Sequence, residues 1–358
     1  MNMPAVVMDN GSRYSKMGYS GNLEPDIVIP TVVADLDNKN TLRASTKSYE
    51  YNYYIGDEAI NKTKESNTHK LIYPVKNGIV ENWDLMEKFW HKCIYNYLKC
   101  DPQMHYFALT ESSMNTPKNR ENMGEIFFET FNVPGLYIGN QATFALLGSR
   151  KIYLKDNAFR KDEEQEKAFK SLTGIVVDSR NDITHIIPLC DGFVVSSNIN
   201  YIPIGGKPIT KFIEQLIKER GQINFVDLYY ATMELNEKYG YLPLDEAIDL
   251  TIQKCPVDYR RRLYSNIVIL DATSIQNLDR RIELCLQKRI VQRLRKCNSR
   301  KPESIKVNVT NFIESENVVW IGGSELSNNE NFRYVVHFRD EYFEKGPSCF
   351  RFNCAFSF

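Results

Sequence analysis

Two stretches of the sequence place an aspartate and turn-forming residues directly after a short apolar run. Residues 5–8 are followed by Asp9, Asn10 and Gly11, and residues 174–177 are followed by Asp178. Each apolar run predicts a β-strand, and the polar residues after it predict a loop. An aspartate at such a position either accepts hydrogen bonds within the turn or presents its carboxylate to a ligand. Because the two aspartates are 169 residues apart, the repeat is too long for a solenoid and predicts two related lobes with a shared cleft.

The elements that must position these aspartates alternate between helix and strand. The chain has 358 residues, which is enough for two hydrophobic cores. Apolar residues at helical spacing predict helices over 84–98, with Asn82 or Asp84 as the N-cap, and over 120–131, 208–220 and 278–296. Continuous apolar runs predict strands over 104–109 and 265–270. This alternation predicts an α/β fold.

Composition excludes several classes of protein. Apolar residues make up 42% of the chain, so wholesale disorder is excluded. The 45 basic residues balance the 45 acidic ones, so no overall field attracts nucleic acid or acidic lipid. The eight cysteines form no CxxC pair and predict a reduced thiol set. No secretory leader or run of eighteen apolar residues is found, so we expect a protein that is neither secreted nor membrane-spanning.

The predicted helix over 278–296 and the residues after it carry a concentration of positive charge. The basic positions are 280, 281, 288, 289, 293, 295, 296, 300 and 301. A solvated helix face is the commoner explanation of such a stripe. An acidic partner or nucleic acid is the alternative, although the stretch contains no aromatic residues for base stacking.

Beyond these patterns, the sequence resembles the actin superfamily and, within it, the actin-related protein 3 type of subunit. The resemblance runs in family order over nearly the whole chain, and Glu24-Pro25 and residues 132–136 are closer to the actin-related protein 3 pattern than to conventional actin. The matching stretches are residues 7–22, 54–59, 73–87, 109–111, 128–138, 174–179, 184–188, 255–260, 320–324 and 346–348.

The resemblance implies an actin-like two-lobe fold built from duplicated ribonuclease-H-like domains. The small lobe would comprise 1–148 and 318–358, with its second subdomain at about 31–71. The large lobe would comprise 149–317. Between 242 and 255 the chain is several dozen residues shorter than the family pattern, so we expect part of the large lobe to be deleted.

The resemblance also implies ATP or ADP with Mg²⁺ in the cleft between two phosphate hairpins. Asp9 and Asp178 would hold the ion through water, and Gln141, with His185 behind it, would orient the attacking water. The remaining nucleotide contacts would come from Asn10, Gly11, Ser12, Arg13, Lys16, Ser179, Arg180, Glu237 and Thr273. The alternative is structural: both aspartates would be turn residues, and Gln141 and His185 would be ordinary hinge and core residues.

Departures from the family pattern concentrate around the expected nucleotide. Arg13 replaces the second glycine of the first hairpin, and Arg180, Asn181 and Asp182 replace Gly-Asp-Gly in the second. Glycine allows a loop backbone to approach a phosphate closely, so each loss weakens the hairpins. In the remaining departures, this chain has Asp271-Ala272 where the family has a Gly-Gly pair, Asn236 where it has a lysine and Glu316 where it has a basic residue.

These features predict a structural subunit of an actin-nucleating complex of the actin-related protein 2/3 type, with nucleotide binding weakened or lost. The implied partners are a second actin-related protein, small scaffold subunits and actin, without membrane and without nucleic acid. The expected location is the cytoplasmic cytoskeleton, with the nucleus as an alternative. Two other functions are left open: a slow Mg²⁺-ATPase subunit switched by its nucleotide, and a nuclear scaffold of a chromatin complex.

Overall fold

The computed structural model describes residues 4–36, 53–65, 69–155, 163–179, 183–203, 243–270, 277–297, 305–311 and 316–351. The β-strands in these ranges are β1 Val6–Asn10, β2 Tyr14–Tyr19, β3 Ile27–Pro30, β4 Val33–Leu36, β5 Tyr54–Ile55, β6 His69–Ile72, β7 Val75–Lys76, β8 Ile79–Val80, β9 Phe107–Glu111, β10 Gly135–Asn140, β11 Gly174–Ser179, β12 Thr184–Cys190, β13 Phe193–Val194, β14 Asn200–Ile202, β15 Ile267–Leu270, β16 Val309–Asn311 and β17 His337–Phe338. The α-helices there are α1 Gly56–Glu65, α2 Trp83–Lys92, α3 Pro117–Glu125, α4 Gln141–Lys155, α5 Glu163–Lys170, α6 Leu244–Lys254, α7 Val257–Ser265, α8 Leu278–Lys296, α9 Val318–Ser327 and α10 Arg339–Lys345.

Several helices confirm the sequence predictions. The helix predicted over 84–98 is α2 continued by a π-helical segment, Cys93–Tyr97, and Asn82 is its N-cap because its side chain accepts the Leu85 N–H at 3.0 Å. The helix predicted over 278–296 is α8. The helix predicted over 208–220 lies outside the described residues.

The strand predicted over 104–109 begins later, at Phe107. Pro102–Met104 instead form a 3₁₀ turn, because the Asp101 side chain caps the Gln103 N–H at 3.1 Å and Pro102 is the first residue of the turn. The strand predicted over 265–270 is confirmed as β15, and alternating strands and helices confirm the α/β class.

The chain divides into two compact units. Unit 1 comprises Met1–Gln141 and Gly323–Cys354, and its main sheet has the strand order β17-β10-β9-β1-β2-β3. In this sheet β1 is antiparallel to β2 and parallel to β9, and β9 is parallel to β10. The hydrophobic core of unit 1 includes the fully buried Trp90, Phe107 and Phe127.

Unit 2 comprises Ala142–Gly322 and Ala355–Phe358, and its sheet runs β13-β12-β11-β15-β16, with β14 also paired to β12. Here β11 is antiparallel to β12 and parallel to β15, and β15 is parallel to β16. Unit 2 therefore repeats the arrangement of unit 1. In each unit an antiparallel hairpin (β1-β2 or β11-β12) is followed by two parallel strands next to its first strand (β9 and β10, or β15 and β16). The duplicated fold predicted from the two aspartate stretches is therefore confirmed.

Two helices of unit 2 meet through glycine. A Cβ built at Gly148 on α4 would overlap the carbonyl oxygen of Val318, and one built at Gly322 on α9 would overlap the carbonyl oxygen of Phe144. The two backbones are therefore in direct contact, which a larger side chain at either glycine would prevent.

The basic stripe on α8 is partly used for packing. Arg289 Nε donates to Asp245 at 2.7 Å and its Nη2 donates to Glu246 at 3.1 Å, while Arg293 Nη2 donates to Asp249 at 2.7 Å. All three acids belong to α6, so these arginines fasten α8 to α6. The prediction of a solvated helix face is therefore wrong for Arg289 and Arg293. In the described part of the chain, no helix is both long and apolar enough to cross a membrane.

Candidate functional site

The first candidate hairpin begins where β1 leaves the core of unit 1. Val6, Val7 and Met8 are buried, and the next two side chains, Asp9 and Asn10, are 6% and 7% exposed. A buried polar group must be hydrogen-bonded to offset its loss of water. The partners of these two side chains therefore decide what the strand end can do.

The Asp9 carboxylate is held by two donors on other elements of unit 1. The Thr110 hydroxyl on β9 donates to Asp9 Oδ1 at 2.7 Å, and Gln141 Nε2, at the start of α4, donates to the same oxygen at 3.1 Å. Thr110 Oγ1 also accepts the Asn10 N–H at 3.1 Å. The carboxylate is therefore fixed in one orientation through Oδ1. Both predicted roles of Asp9 are compatible with this arrangement.

Asn10 is anchored on one side only. Its Oδ1 accepts the indole N–H of Trp90 at 3.0 Å, and both residues are buried. Within the described residues, its Nδ2 amide is buried without a hydrogen-bond partner. The end of β1 therefore contains an unsatisfied donor, an exception to the usual pairing of buried polar groups.

The turn after β1 depends on glycine at one position. The Gly11 N–H donates to the Tyr14 carbonyl oxygen at 3.1 Å, and a Cβ at Gly11 would lie 2.6 Å from that oxygen. At Arg13 the backbone φ is not in the positive region, so arginine is accommodated there without strain. The Arg13 side chain is exposed, and its guanidinium carbon lies 5.3 Å from the centre of the Tyr14 ring.

Ser12 connects this turn to the turn between β7 and β8. Its Oγ accepts the Gly78 N–H at 2.7 Å, which leaves the proton of the hydroxyl available for donation. Among the described contacts, no hydrogen bond uses the N–H of Ser12 or Arg13. Two backbone N–H groups and one hydroxyl at a single turn are suited to a phosphate oxygen. The first hairpin therefore fits a phosphate group.

Lys16 lies on β2 directly opposite Asp9 in the strand register, and its side chain is half-buried. An ammonium group at this position can balance the carboxylate or act as a point charge toward a phosphate. Lys16, Asp9, Asn10, Gly11, Ser12, Arg13 and Gln141 are the predicted site residues that unit 1 brings together.

In unit 2, Asp178 and Ser179 end β11, and both are half-buried. The residue opposite Asp178 in the register is His185, and the Ser179 and Thr184 hydroxyls are 3.0 Å apart. His185 thus occupies in the second hairpin the position that Lys16 occupies in the first. The role of His185 in orienting water stays a prediction.

Part of the predicted second half of the site lies outside the described residues. This applies to the predicted contacts Arg180, Glu237 and Thr273, and to the departures at Asn181, Asp182, Asn236, Asp271 and Ala272. Glu316 is described and exposed. In the described ranges, no group of three or more histidine, cysteine, aspartate or glutamate side chains could hold a metal ion. Binding of Mg²⁺ by Asp9 and Asp178 through water stays a prediction.

Sequence reasoning missed three residues of the first hairpin: Thr110, Trp90 and Gly78. Thr110 is 101 residues from the carboxylate it holds, and Trp90 is 80 residues from Asn10. Trp90 belongs to a predicted helix and Thr110 directly follows the strand predicted over 104–109, but only the pairing of β1 with β9 and the packing of α2 bring them to the hairpin. A polar residue directly after a predicted buried strand was the only available signal for Thr110.

The buried thiols do not offer nucleophilic chemistry. Burial raises the pKa of the Cys100 thiol to about 11 and that of Cys190 to about 12, and it raises the pKa of Cys93 well above its usual value. These groups are therefore protonated at neutral pH, and the thiolate is the reactive form. Seven cysteines in the described ranges are free thiols.

Comparison with known proteins agrees with this architecture. The actin family model matches residues 1–233 and 226–355. Actin-related protein 3 of Oryza sativa subsp. indica is 36% identical over 433 residues, covering 99% of this chain and 98% of the relative. Actin-related protein 3 of Dictyostelium discoideum is 34% identical (98% and 97% covered), and that of Drosophila melanogaster is 36% identical (99% and 98% covered).

The rice alignment has 433 positions and this chain has 358 residues, so the relative contains at least 75 residues that this chain lacks. This difference agrees with the predicted loss of part of the large lobe. The fold, the family model and the near-complete coverage of these relatives lead to one conclusion. The chain belongs to the actin family and is similar in sequence to actin-related protein 3.

Proposed function

We propose that this chain is a structural subunit of an actin-nucleating complex of the actin-related protein 2/3 type, with nucleotide binding weakened or lost. The observation that carries the proposal is the similarity to actin-related protein 3 over 99% of the chain and 98% of the relative. A subunit of this kind acts through the shape of its surface, presenting a face that resembles a filament end. It does not need rapid turnover of a nucleotide for that role.

The geometry of the first hairpin supports retained phosphate contacts in unit 1. Ser12 and the N–H of Arg13 would bind phosphate oxygens, and Asp9, oriented by Thr110 and Gln141, would face the hydration shell of Mg²⁺. The substitutions at Arg180, Asn181 and Asp182 weaken the second set of contacts, since a carboxylate beside a phosphate repels it.

The partners that follow from this proposal are a second actin-related protein, small scaffold subunits and actin. A template for a filament needs two actin-like subunits side by side, so this chain alone would be insufficient. The proposed location is the cytoplasmic cytoskeleton. This assignment follows from the proposed function and has to be tested with it.

A slow Mg²⁺-ATPase that switches the complex is the second candidate. The observation in its favour is that the first hairpin fits a phosphate and that Gln141 lies against the Asp9 carboxylate. A glutamine at this position would orient water toward the terminal phosphate.

The experiment that tests the main proposal is purification of the tagged chain from its native cell at gentle salt. Stoichiometric recovery of a second actin-related protein with several small subunits would support the proposal. Recovery of chromatin proteins, or of the chain alone, would show that the proposed complex is wrong. The Lys288→Gln variant, changed at an exposed residue, serves as a control for recovery that depends on surface charge.

Titration with Mg²⁺-ATP separates the two candidates. A ligand that binds only the native state raises the unfolding temperature, so millimolar Mg²⁺-ATP must stabilise a nucleotide-switched subunit. No stabilisation would exclude the switch and leave the structural role. If stabilisation occurs, the double variant Asp9→Ala with Asp178→Ala must abolish it, because both carboxylates are assigned to the Mg²⁺ shell.

A further inference from the structure

Unit 2 contains a basic surface depression that the proposed function does not use. Its volume is about 500 Å³, and it lies between the C-terminal turn of α5 and the helix α7. The residues that line it are Lys167, Lys170, Ser171, Asp258, Arg261 and Arg262. Four of these six side chains are cationic and one is acidic, so the depression favours an anion.

One of the cations is held in place. Arg262 Nη1 donates to Ser171 Oγ at 3.1 Å and to Asp191 Oδ1 at 3.3 Å, and its guanidinium carbon lies 4.7 Å from the centre of the Tyr259 ring. The Tyr259 hydroxyl in turn donates to Asp191 Oδ2. A guanidinium fixed in this way loses little conformational freedom when a ligand binds.

Two of the other cations, Arg261 and Lys170, can donate to a ligand. In the part of the chain that the structure describes, Arg261 is exposed and makes no hydrogen bond or ion pair. Lys170 pairs with Glu166 at 2.9 Å, but the two side chains are 76% and 52% exposed. An ion pair between such exposed groups contributes little, so a ligand with higher charge can displace Glu166.

We infer that this depression binds an anion that carries phosphoryl groups. Arginine presents parallel N–H donors that match phosphate oxygens, and lysine adds a compact positive charge. The donors approach from α5 and from α7, which suits a tetrahedral group that accepts in several directions better than a planar carboxylate. The space also exceeds that of a single phosphate, so ligands with more than one phosphoryl group fit.

The test uses the full chain and sodium tripolyphosphate, with sodium chloride at equal ionic strength as the reference. The expected result is saturable binding in isothermal titration calorimetry. The Arg261→Gln variant should raise the Kd about tenfold, because it removes one charge-assisted hydrogen bond. Lys288→Gln is the matched control, since Lys288 is an exposed cation on α8, and it should leave the Kd unchanged.

Two further measurements can overturn the inference. The Ser12→Ala variant must bind tripolyphosphate as the unmodified chain does, because Ser12 belongs to the hairpin of unit 1 and not to this depression; loss of binding would assign the ligand to the hairpins. Tetra-aspartate is the competing ligand, and tighter binding of tetra-aspartate than of tripolyphosphate would make the phosphoryl assignment wrong. Equal binding by Arg261→Gln and the unmodified chain would also contradict it.

Discussion

The hairpins of the two units have the same topology but hold their aspartates differently. In unit 1, Met8 is paired with Leu109 on the parallel strand β9. The next residue of β9, Thr110, donates a hydrogen bond to Asp9. In unit 2 the residue opposite Asp178 on the parallel strand β15 is Leu270, whose side chain has no donor. On the parallel strand, the same fold therefore places a polar residue beside one aspartate and an apolar residue beside the other.

The residues that follow the two aspartates also differ. The first turn requires glycine at Gly11, because a Cβ there would lie 2.6 Å from the Tyr14 carbonyl oxygen. The residue at the matching sequence position after Asp178, 169 residues later, is Arg180, which lies outside the described residues. This comparison teaches that the two hairpins of a duplicated fold have diverged: the first keeps a glycine that its turn requires, and the second has an arginine at the matching sequence position.

The largest expected effect is that of Gly11→Ala. The added Cβ would force the first turn open and break the Gly11–Tyr14 hydrogen bond, so we expect a loss of about 3 kcal/mol in the free energy of unfolding. Chemical denaturation measures this loss. Arg13→Ala, in the same turn but exposed, is the control and should cost about 0.5 kcal/mol. A small effect of Gly11→Ala would show that the first turn accommodates a side chain at this position.

The second-largest expected effect concerns the residue beside each aspartate on the parallel strand, Thr110 in unit 1 and Leu270 in unit 2. Thr110→Val keeps the shape of the side chain but removes the donor to Asp9 and the acceptor of the Asn10 N–H, so it should cost about 2 kcal/mol. The mirror variant Leu270→Val in unit 2 should cost about 1 kcal/mol, through lost packing alone. Equal losses in the two variants would remove the contrast between the units.

Restoring the second hairpin should recover ligand binding. In the triple variant Arg180→Gly, Asn181→Asp and Asp182→Gly, the loop regains residues that allow close approach to a phosphate. At ten times the Kd, Mg²⁺-ATP should then stabilise the chain by about 1.4 kcal/mol. Thermal unfolding with and without Mg²⁺-ATP measures the gain. Arg13→Gly alone should add little, since the first hairpin already fits a phosphate; a larger gain from Arg13→Gly would contradict the comparison.

The smallest effect concerns the hydroxyls of the two hairpins. Ser12→Ala removes the acceptor of the Gly78 N–H and should cost about 1 kcal/mol. Ser179→Ala removes only the hydrogen bond between the Ser179 and Thr184 hydroxyls, and it should cost about half as much. Urea unfolding of both variants decides the order. The reverse order would show that the second hairpin depends more on its side chains than the first.

The sequence predicted those parts of the fold that depend on local patterns. The Asn82 cap, the helix α8 and the strands that carry Asp9 and Asp178 each follow from neighbouring residues. Both strands continue past the apolar runs that predicted them, β1 to Asn10 and β11 to Ser179, so the two aspartates lie in strands and not in the predicted loops. The support of Asp9 by Thr110 could not be predicted, because the two residues are 101 positions apart and meet only through strand pairing. The pairing of Arg289 with Asp245 on α6 was missed for the same reason.

The contact of α4 with α9 through Gly148 and Gly322 limits how this chain can change over evolutionary time. Where two side chains pack together, a substitution in one can be offset by a substitution in the other. At this crossing the neighbours are backbone atoms, which no substitution alters. Although this chain has at least 75 residues fewer than the rice relative, it should therefore tolerate only glycine at these two positions.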